Sequence, residues 1–329
     1  MTTKWGTSGV VAWAAGNQLN AADLNDTIED SSPELRLWVD NMIYFMTNAS
    51  LNGTKTFNTA TSIYADIIAE DVTITNSVTI TCAKSRPYFI ICDTFQIDAG
   101  SILTLNGMGA YGMSNAYGDG YADGLIAGGG GEGGSGHDIV GDLGVDGVAA
   151  PVVTADCKRL IMNILLQGKI GGFGGGQFTT VMGGAGGART GDAVAGGNGG
   201  GCLFIICKTA TINGTIRAIG NTGAAGGAAS AGAGGGGGGI IAIYSETWSG
   251  TGTINVSGGG GGAGTATGVR KGGGGGAGGL ILRVRKSSGD TAWSGTLTVA
   301  GGTGGAGTGG GAAGANGSAG VDLSTYLVT

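Results

Sequence analysis

Apolar and polar residues alternate with period two along much of this chain, in short runs rich in threonine and β-branched residues. Asp71-Val72-Thr73-Ile74-Thr75 and Ser77-Val78-Thr79-Ile80-Thr81 are the clearest runs, and they predict two strands with a turn at Asn76. Side chains of this kind suit a pleated, half-buried surface. From residue 88 the apolar runs repeat. Phe89-Ile90-Ile91-Cys92-Asp93-Thr94 matches Phe204-Ile205-Ile206-Cys207-Lys208-Thr209. Each is followed by a second apolar strand and then glycine, Ile102 to Gly107 in one and Thr215 to Gly220 in the other. Trp248-Ser249-Gly250-Thr251 matches Trp293-Ser294-Gly295-Thr296, and Leu160 to Leu165 reads as a diverged member. The last three units open at Cys202, Ile240 and Leu280, 38 and 40 residues apart. The predicted unit is strand, turn, strand, glycine block, stacked as a β-solenoid or layered sheet, and about five such units suffice to bury one another's faces.

Residues 1–50 follow another pattern. Asn20 is placed to cap a helix beginning Ala21-Ala22-Asp23-Leu24, and Ser32-Pro33-Glu34 is a second start signal. Leu35, Trp38, Met42 and Phe45 then recur at 3-4-3 spacing, which suits either an amphipathic helix packed on its own domain or a short trimeric stem. The expected fold is mainly β: short N-terminal helices over 1–50, a β-rich neck over 51–107, and a glycine-rich β-repeat domain over 108–329.

Glycine changes the picture most. It supplies 78 of the 329 residues, in blocks at 127–136, 171–176, 183–201, 223–239, 258–279 and 300–320. Ordinary usage would give about 23. Ordering each glycine costs on the order of 0.5–1 kcal/mol more than alanine. The blocks are therefore either flexible linkers or a dense backbone lattice. Polyglycine can form left-handed helices of polyproline-II type, with three residues per turn, whose sideways-pointing amides bond to neighbouring helices. Interior positions must then be glycine, while Ala, Ser, Thr or Asn sits at a surface. The blocks carry that mixture and recur after each strand pair, which favours the lattice.

Charge and motifs narrow the function. The net charge of −6 and 12% charged residues fit neither a disordered chain nor a phosphate-tracking nucleic-acid binder. No apolar run reaches the roughly 18 residues of a membrane span, and the N-terminus shows no secretory signal pattern. Cys82, Cys92, Cys157, Cys202 and Cys207 lack metal or redox spacing and read mostly as small buried apolar residues, with one disulfide left open. GxGxxG-like strings are uninformative in such a sequence, and Lys271 sits in no P-loop. His137 is the single histidine, in a glycine-rich loop. Asp119, Asp123 and Glu132 cluster in sequence, as turn-forming acids or as a glycosidase pair. No cofactor, metal or catalysis is expected. Tyr111, Tyr117 and Tyr121 lie among small polar residues, the composition of an adaptable binding loop. With Phe178 and Arg270 they interrupt the glycine blocks where helices would turn back, and recognition concentrates in such loops. The alternative is loop tips with no ligand.

Two short stretches carry a resemblance. Asn17 to Asn25, NQLNAADLN, resembles the G-x-x-L-T-A-A-D-L-N opening of bacteriophage tail-fibre and other virion proteins, and Asn52-Gly53-Thr54-Lys55-Thr56-Phe57 resembles the t-G-T-K-T-F element that often follows. The glycine blocks resemble the distal adhesins of T-even-type phages, in which a polyglycine II sandwich presents receptor-binding loops. Those adhesins lack this helical start and these long apolar strand pairs. The resemblance implies a homotrimeric virion fibre or spike, released by lysis, that attaches to other virion proteins through its N-terminus. It further implies a host surface glycan or outer-membrane protein as receptor, with Tyr111, Tyr117, Tyr121, Phe178 and Arg270 facing it. A head-decoration or collar fibre, a glycan depolymerase and a secreted matrix protein are the competing readings.

Overall fold

The computed structural model describes residues 53–83, 88–109, 195–226, 231–265, 270–285 and 293–326. The expected N-terminal helices, with Leu35, Trp38, Met42 and Phe45, lie outside the described residues. The described part is β structure in two all-parallel sheets. Its strands are β1 (Thr54–Phe57), β2 (Thr61–Ile63), β3 (Ile67–Ile68), β4 (Asp71–Ile74), β5 (Thr79–Cys82), β6 (Tyr88–Ile91), β7 (Thr94–Ile97), β8 (Ile102–Thr104), β9 (Cys202–Ile212), β10 (Thr215–Arg217), β11 (Ile240–Ser249), β12 (Thr253–Asn255), β13 (Leu280–Arg285), β14 (Thr296–Thr298) and β15 (Val321–Tyr326).

The pairings sort these strands into three columns. One runs β1, β4, β7 and the second halves of β9 and β11. Another runs β2, β5, β8, β10, β12, β14. The last runs β3, β6, the first halves of β9 and β11, then β13 and β15. The first and last columns make up the nine-stranded sheet, and the middle column is the six-stranded one.

Alternation along each strand explains the packing. Val72, Ile74, Ile80, Ile216 and Ile254 are buried while their polar neighbours stay partly exposed. Together with Phe95, Ile97, Leu103, Leu203, Ile205, Ile241 and Ile281 they fill one core. The continuous runs Cys202–Cys207, Ile240–Ile243 and Leu280–Leu282 are buried on both faces, as parallel strands with both faces covered read. Their outward side chains, Cys202, Phe204, Ile240, Ala242, Leu280 and Leu282, form a second apolar cluster.

The predicted repeats fall in register. Phe89 pairs with Phe204, their rings stacked at 5.0 Å, and Thr215 pairs with Ile102. Cys202, Ile240 and Leu280 lie side by side. The Trp-Ser-Gly-Thr copies do not stack residue on residue. Trp293 lies opposite Gly250 and Thr296 opposite Thr253. The later copy has one Thr-Gly pair fewer before its strand, so the register moves by two, and a two-residue shift keeps every side chain on its own face. Asn76 and Ser77 both take positive φ, 60° and 54°. They turn the chain from β4 into β5 in the other sheet, not back along β4.

The glycine blocks occupy one particular connection, from the middle column to the last. In the first units this link is short, Ile63 to Ile67 and Cys82 to Tyr88. In the later units it is a long excursion: 105–201, of which 105–109 and 195–201 are described, then 218–239, 256–279 and 299–320. Each of the last three runs outward and then returns, and the amides bond to neighbouring excursions every third residue. Gly220, Gly223 and Gly226 N–H donate to Ser257, Gly260 and Ala263 oxygens (3.0, 2.9 and 2.8 Å) in the next outgoing chain. Gly236 and Gly239 donate to Asn221 and Ala218 across the out-and-back pair (2.9 and 2.8 Å). Gly259 and Gly262 donate to Gly236 and Ala233 of the preceding returning chain (both 2.7 Å). Two of every three amides are thus paired within a two-row lattice. At the bonded glycines Gly235, Gly236, Gly259 and Gly262 a Cβ would collide with a neighbouring carbonyl, whereas at Gly260 the nearest atom would be 3.5 Å away. The lattice explains why the second and third outgoing chains read Gly-Gly-X, with X being Ser257, Gly260, Ala263 or Ala300, Thr303, Ala306, while the first carries Asn221 and Ala224 at bonded positions.

Candidate functional site at the distal end of the glycine lobe

The far end of the lobe is where outgoing chains turn back. In the last excursion the turn is Thr308-Gly309-Gly310-Gly311, closed by the Gly311 N–H donating to the Thr308 oxygen at 2.9 Å. Gly309 and Gly310 take φ of 60° and 87°. Two successive left-handed residues are what a type I′ turn demands, and glycine adopts them without strain. Thr308 is fixed against the preceding excursion. The Arg270 N–H donates to the Thr308 oxygen (3.0 Å), and the Thr308 N–H donates to the Arg270 oxygen (2.8 Å). Alongside, the Thr265 hydroxyl donates to the Gly226 oxygen. The described tip is therefore tied to its neighbour by main-chain groups.

The electrostatics of the lobe are simple. Across 218–239, 256–279 and 299–320 only Arg270 and Lys271 are charged. Both sit at the distal end, half-buried, with no carboxylate in these three excursions to neutralise them. The Arg270 Nε and the Thr308 Oγ1 are buried without a hydrogen-bond partner. Two adjacent cations on described glycine chains that carry no other charge have the chemistry to meet an anion or a carbonyl, because the guanidinium offers a planar fork of donors and the ammonium a point charge.

Of the residues expected to face a receptor, Arg270 is placed at the lobe's far end. Tyr111, Tyr117, Tyr121 and Phe178 lie outside the described residues. The Thr308–Gly311 turn was not legible in advance, because its glycines look like lattice glycines. The signal that marks it is a change of phase: the non-glycine residues fall at Ala300, Thr303 and Ala306, then out of phase at Thr308, and resume at Ala312-Ala313 and Ala315-Asn316.

The remaining features are structural. Cys82, Cys92, Cys202 and Cys207 are free and buried. Burial pushes the Cys82 thiol up to about 12, and raises Cys202 as well. The Cys92 thiol is held up first by its hydrogen bond with Cys207, then by burial. Such thiols are poor nucleophiles. No group of three metal-ligating side chains occurs among the described residues, and no described helix is long and apolar enough to cross a membrane. An open cleft along β1–β3 is bordered by Lys55, Phe57, Tyr64 and Ile68, with Tyr64 and Ile68 exposed. Gly53, the first described residue, also lines it. The chain matches no protein-family model, no curated protein and no solved structure.

Proposed function

We propose that this chain is a phage virion fibre or spike protein that binds a host surface glycan or outer-membrane protein through the distal end of its glycine lobe. In this reading the three strand columns are the successive faces of a β-solenoid, and the glycine chains are polyglycine II helices inserted at one of its corners. The N-terminal segment attaches the protein to the virion, and the apolar stripe Leu35, Trp38, Met42, Phe45 joins three copies. Binding, not catalysis, is the activity. The observation that supports this most directly is the placement of Arg270 and Lys271: among the described residues of the lobe, tightly paired backbone carries these two charges, and they sit at its far end. Order in the scaffold lowers the entropy lost when a tip engages its ligand.

The test is binding of purified protein to host cells, with the doubly substituted R270A/K271A as comparison. Hydrogen bonds to charged groups contribute about 1.5–3 kcal/mol each, so the variant is expected to bind roughly tenfold or more weakly with an unchanged melting temperature. Failure of the wild-type protein to bind any host cell would overturn the receptor reading and favour a head-decoration or collar fibre.

A further inference from the structure

The last returning chain, 311–320, breaks the glycine rule in a regular way. In the earlier returning chains one position in three faces the outgoing chain of the next excursion, and it is always glycine: Gly232, Gly235 and Gly238 in one chain, Gly272, Gly275 and Gly278 in the next. A Cβ there would strike the carbonyls of Gly262, Gly259 and Val256, or of Gly305, Gly302 and Val299. Strand pairing sets Leu280 opposite Val321, and the same offset puts Ala313, Asn316 and Ala319 at the corresponding positions of the last chain. All three bear side chains, and all three are exposed. The remaining contact-making glycines of that chain, Gly314, Gly317 and Gly320, still pack on Gly273, Gly276 and Gly279. Side chains thus enter only at the face that meets no further described excursion.

Asn316 also replaces a missing partner. In the preceding outgoing chain the Gly261 N–H donates to the Thr303 oxygen of the next excursion at 2.8 Å. Its counterpart, Gly304, has no such carbonyl, and donates instead to the Asn316 Oδ1 at 2.9 Å.

We propose that Ala313, Asn316 and Ala319 are an edge cap that closes the glycine lattice against a further glycine chain, so that copies of this protein do not join lobe to lobe. An uncapped lattice edge would present paired-ready amides and carbonyls with no side chain in the way, the same hazard as an open sheet edge. The partner it would admit is a second copy. Antiparallel neighbours already belong to this lattice, and two such edges can meet across a two-fold axis. The inference stands apart from the receptor reading, because it concerns a face and not the tip.

Two variants of the full chain test it, by sedimentation against concentration and by amide exchange. The triple variant A313G/N316G/A319G should show one association step absent from the wild type, doubling its mass as concentration rises. N316A keeps a Cβ at the edge, so it should sediment as wild type while the Gly304 amide exchanges at least about tenfold faster. Wild-type sedimentation of a folded triple variant, or unchanged exchange at Gly304 in N316A, would overturn the proposal. If the triple variant fails to fold, A313L/A319L decides. An unchanged melting temperature and mass are expected for a free edge, and a melting temperature lowered as far as by Gly275→Ala would show a packed face and overturn it.

Discussion

Gly235 and Gly260 are chemically the same residue and have opposite tolerances. At Gly235 a Cβ would meet the carbonyls of Gly259 and Gly260, and backbone in a lattice paired on all sides has nowhere to go. Gly235→Ala should destabilise by about 3 kcal/mol, at the upper end of overpacking effects. Gly260 faces outward with 3.5 Å to its nearest neighbour. Gly260→Ala should be neutral, or stabilise by about 0.5 kcal/mol by restricting the unfolded chain, and thermal unfolding of the pair reads both. The thiols give a pH prediction. Cys82 is raised from an ordinary value of 9.0 to about 12, and Cys92 and Cys202 are also raised. A raised folded value means that the folded state holds its proton when the unfolded state has lost it. Stability from these groups is complete below pH 9 and falls as pH climbs above it, so chemical denaturation should show a declining midpoint in that range. At this scale the sequence announced that interior positions must be glycine and that cysteines are buried. Which glycine points inward was hidden, because phase within a run of identical residues leaves no mark.

Strands were the most readable elements, since alternation with period two records which face is buried. Thr253-Ile254-Asn255 is such a strand, and Ile254 is fully buried in the main core. Ile254→Ala should cost about 2–5 kcal/mol, as large-to-small core changes do. The repeat of Phe89-Ile90-Ile91 at Phe204-Ile205-Ile206 gave the pairing of β6 with β9 in register. The Trp-Ser-Gly-Thr repeat misplaced its pairing by two residues, because a four-residue identity outweighed a deletion next to it. The glycine chains make a sharper prediction. Amides of Gly258, Gly259, Gly261 and Gly262 are bonded, while Gly260 and Ala263 donate to no partner among the described residues. Hydrogen exchange over 258–263 should therefore show a three-residue period, with Gly260 and Ala263 fast and the others protected to within roughly 1–2 kcal/mol of global unfolding. Uniformly fast exchange would mean a flexible linker and would sink the lattice.

For the whole molecule, the parallel stack and the glycine lattice are one construction in two materials. Side-chain burial holds the strand columns together, and backbone hydrogen bonds hold the excursions, with offsets that agree to within one residue. Leu280 is opposite Val321 in the sheet, and Gly272 donates to Ala312 in the lattice (3.1 Å). The sequence disclosed the repeat and the two materials. It did not disclose that the described excursions all leave from the connection between the middle and last columns, since that depends on which strand of a unit precedes the glycines and on how many columns the unit fills. The distal position of Arg270 and Lys271 was partly readable, as an interruption with charge in an uncharged block.

Because bonding recurs every third residue, the lobe has a natural quantum of length. Adding one Gly-Gly-X triplet to every outgoing chain and one triplet to every returning chain would preserve every hydrogen-bond phase and every outward position. The distal end would move out by roughly 9 Å, three residues at about 3.1 Å each. Insertions of one or two residues would instead rotate side chains into the lattice. Reach is thus adjustable in steps without redesign of either the stem or the tip, and descendants of this chain should differ in lobe length by multiples of three.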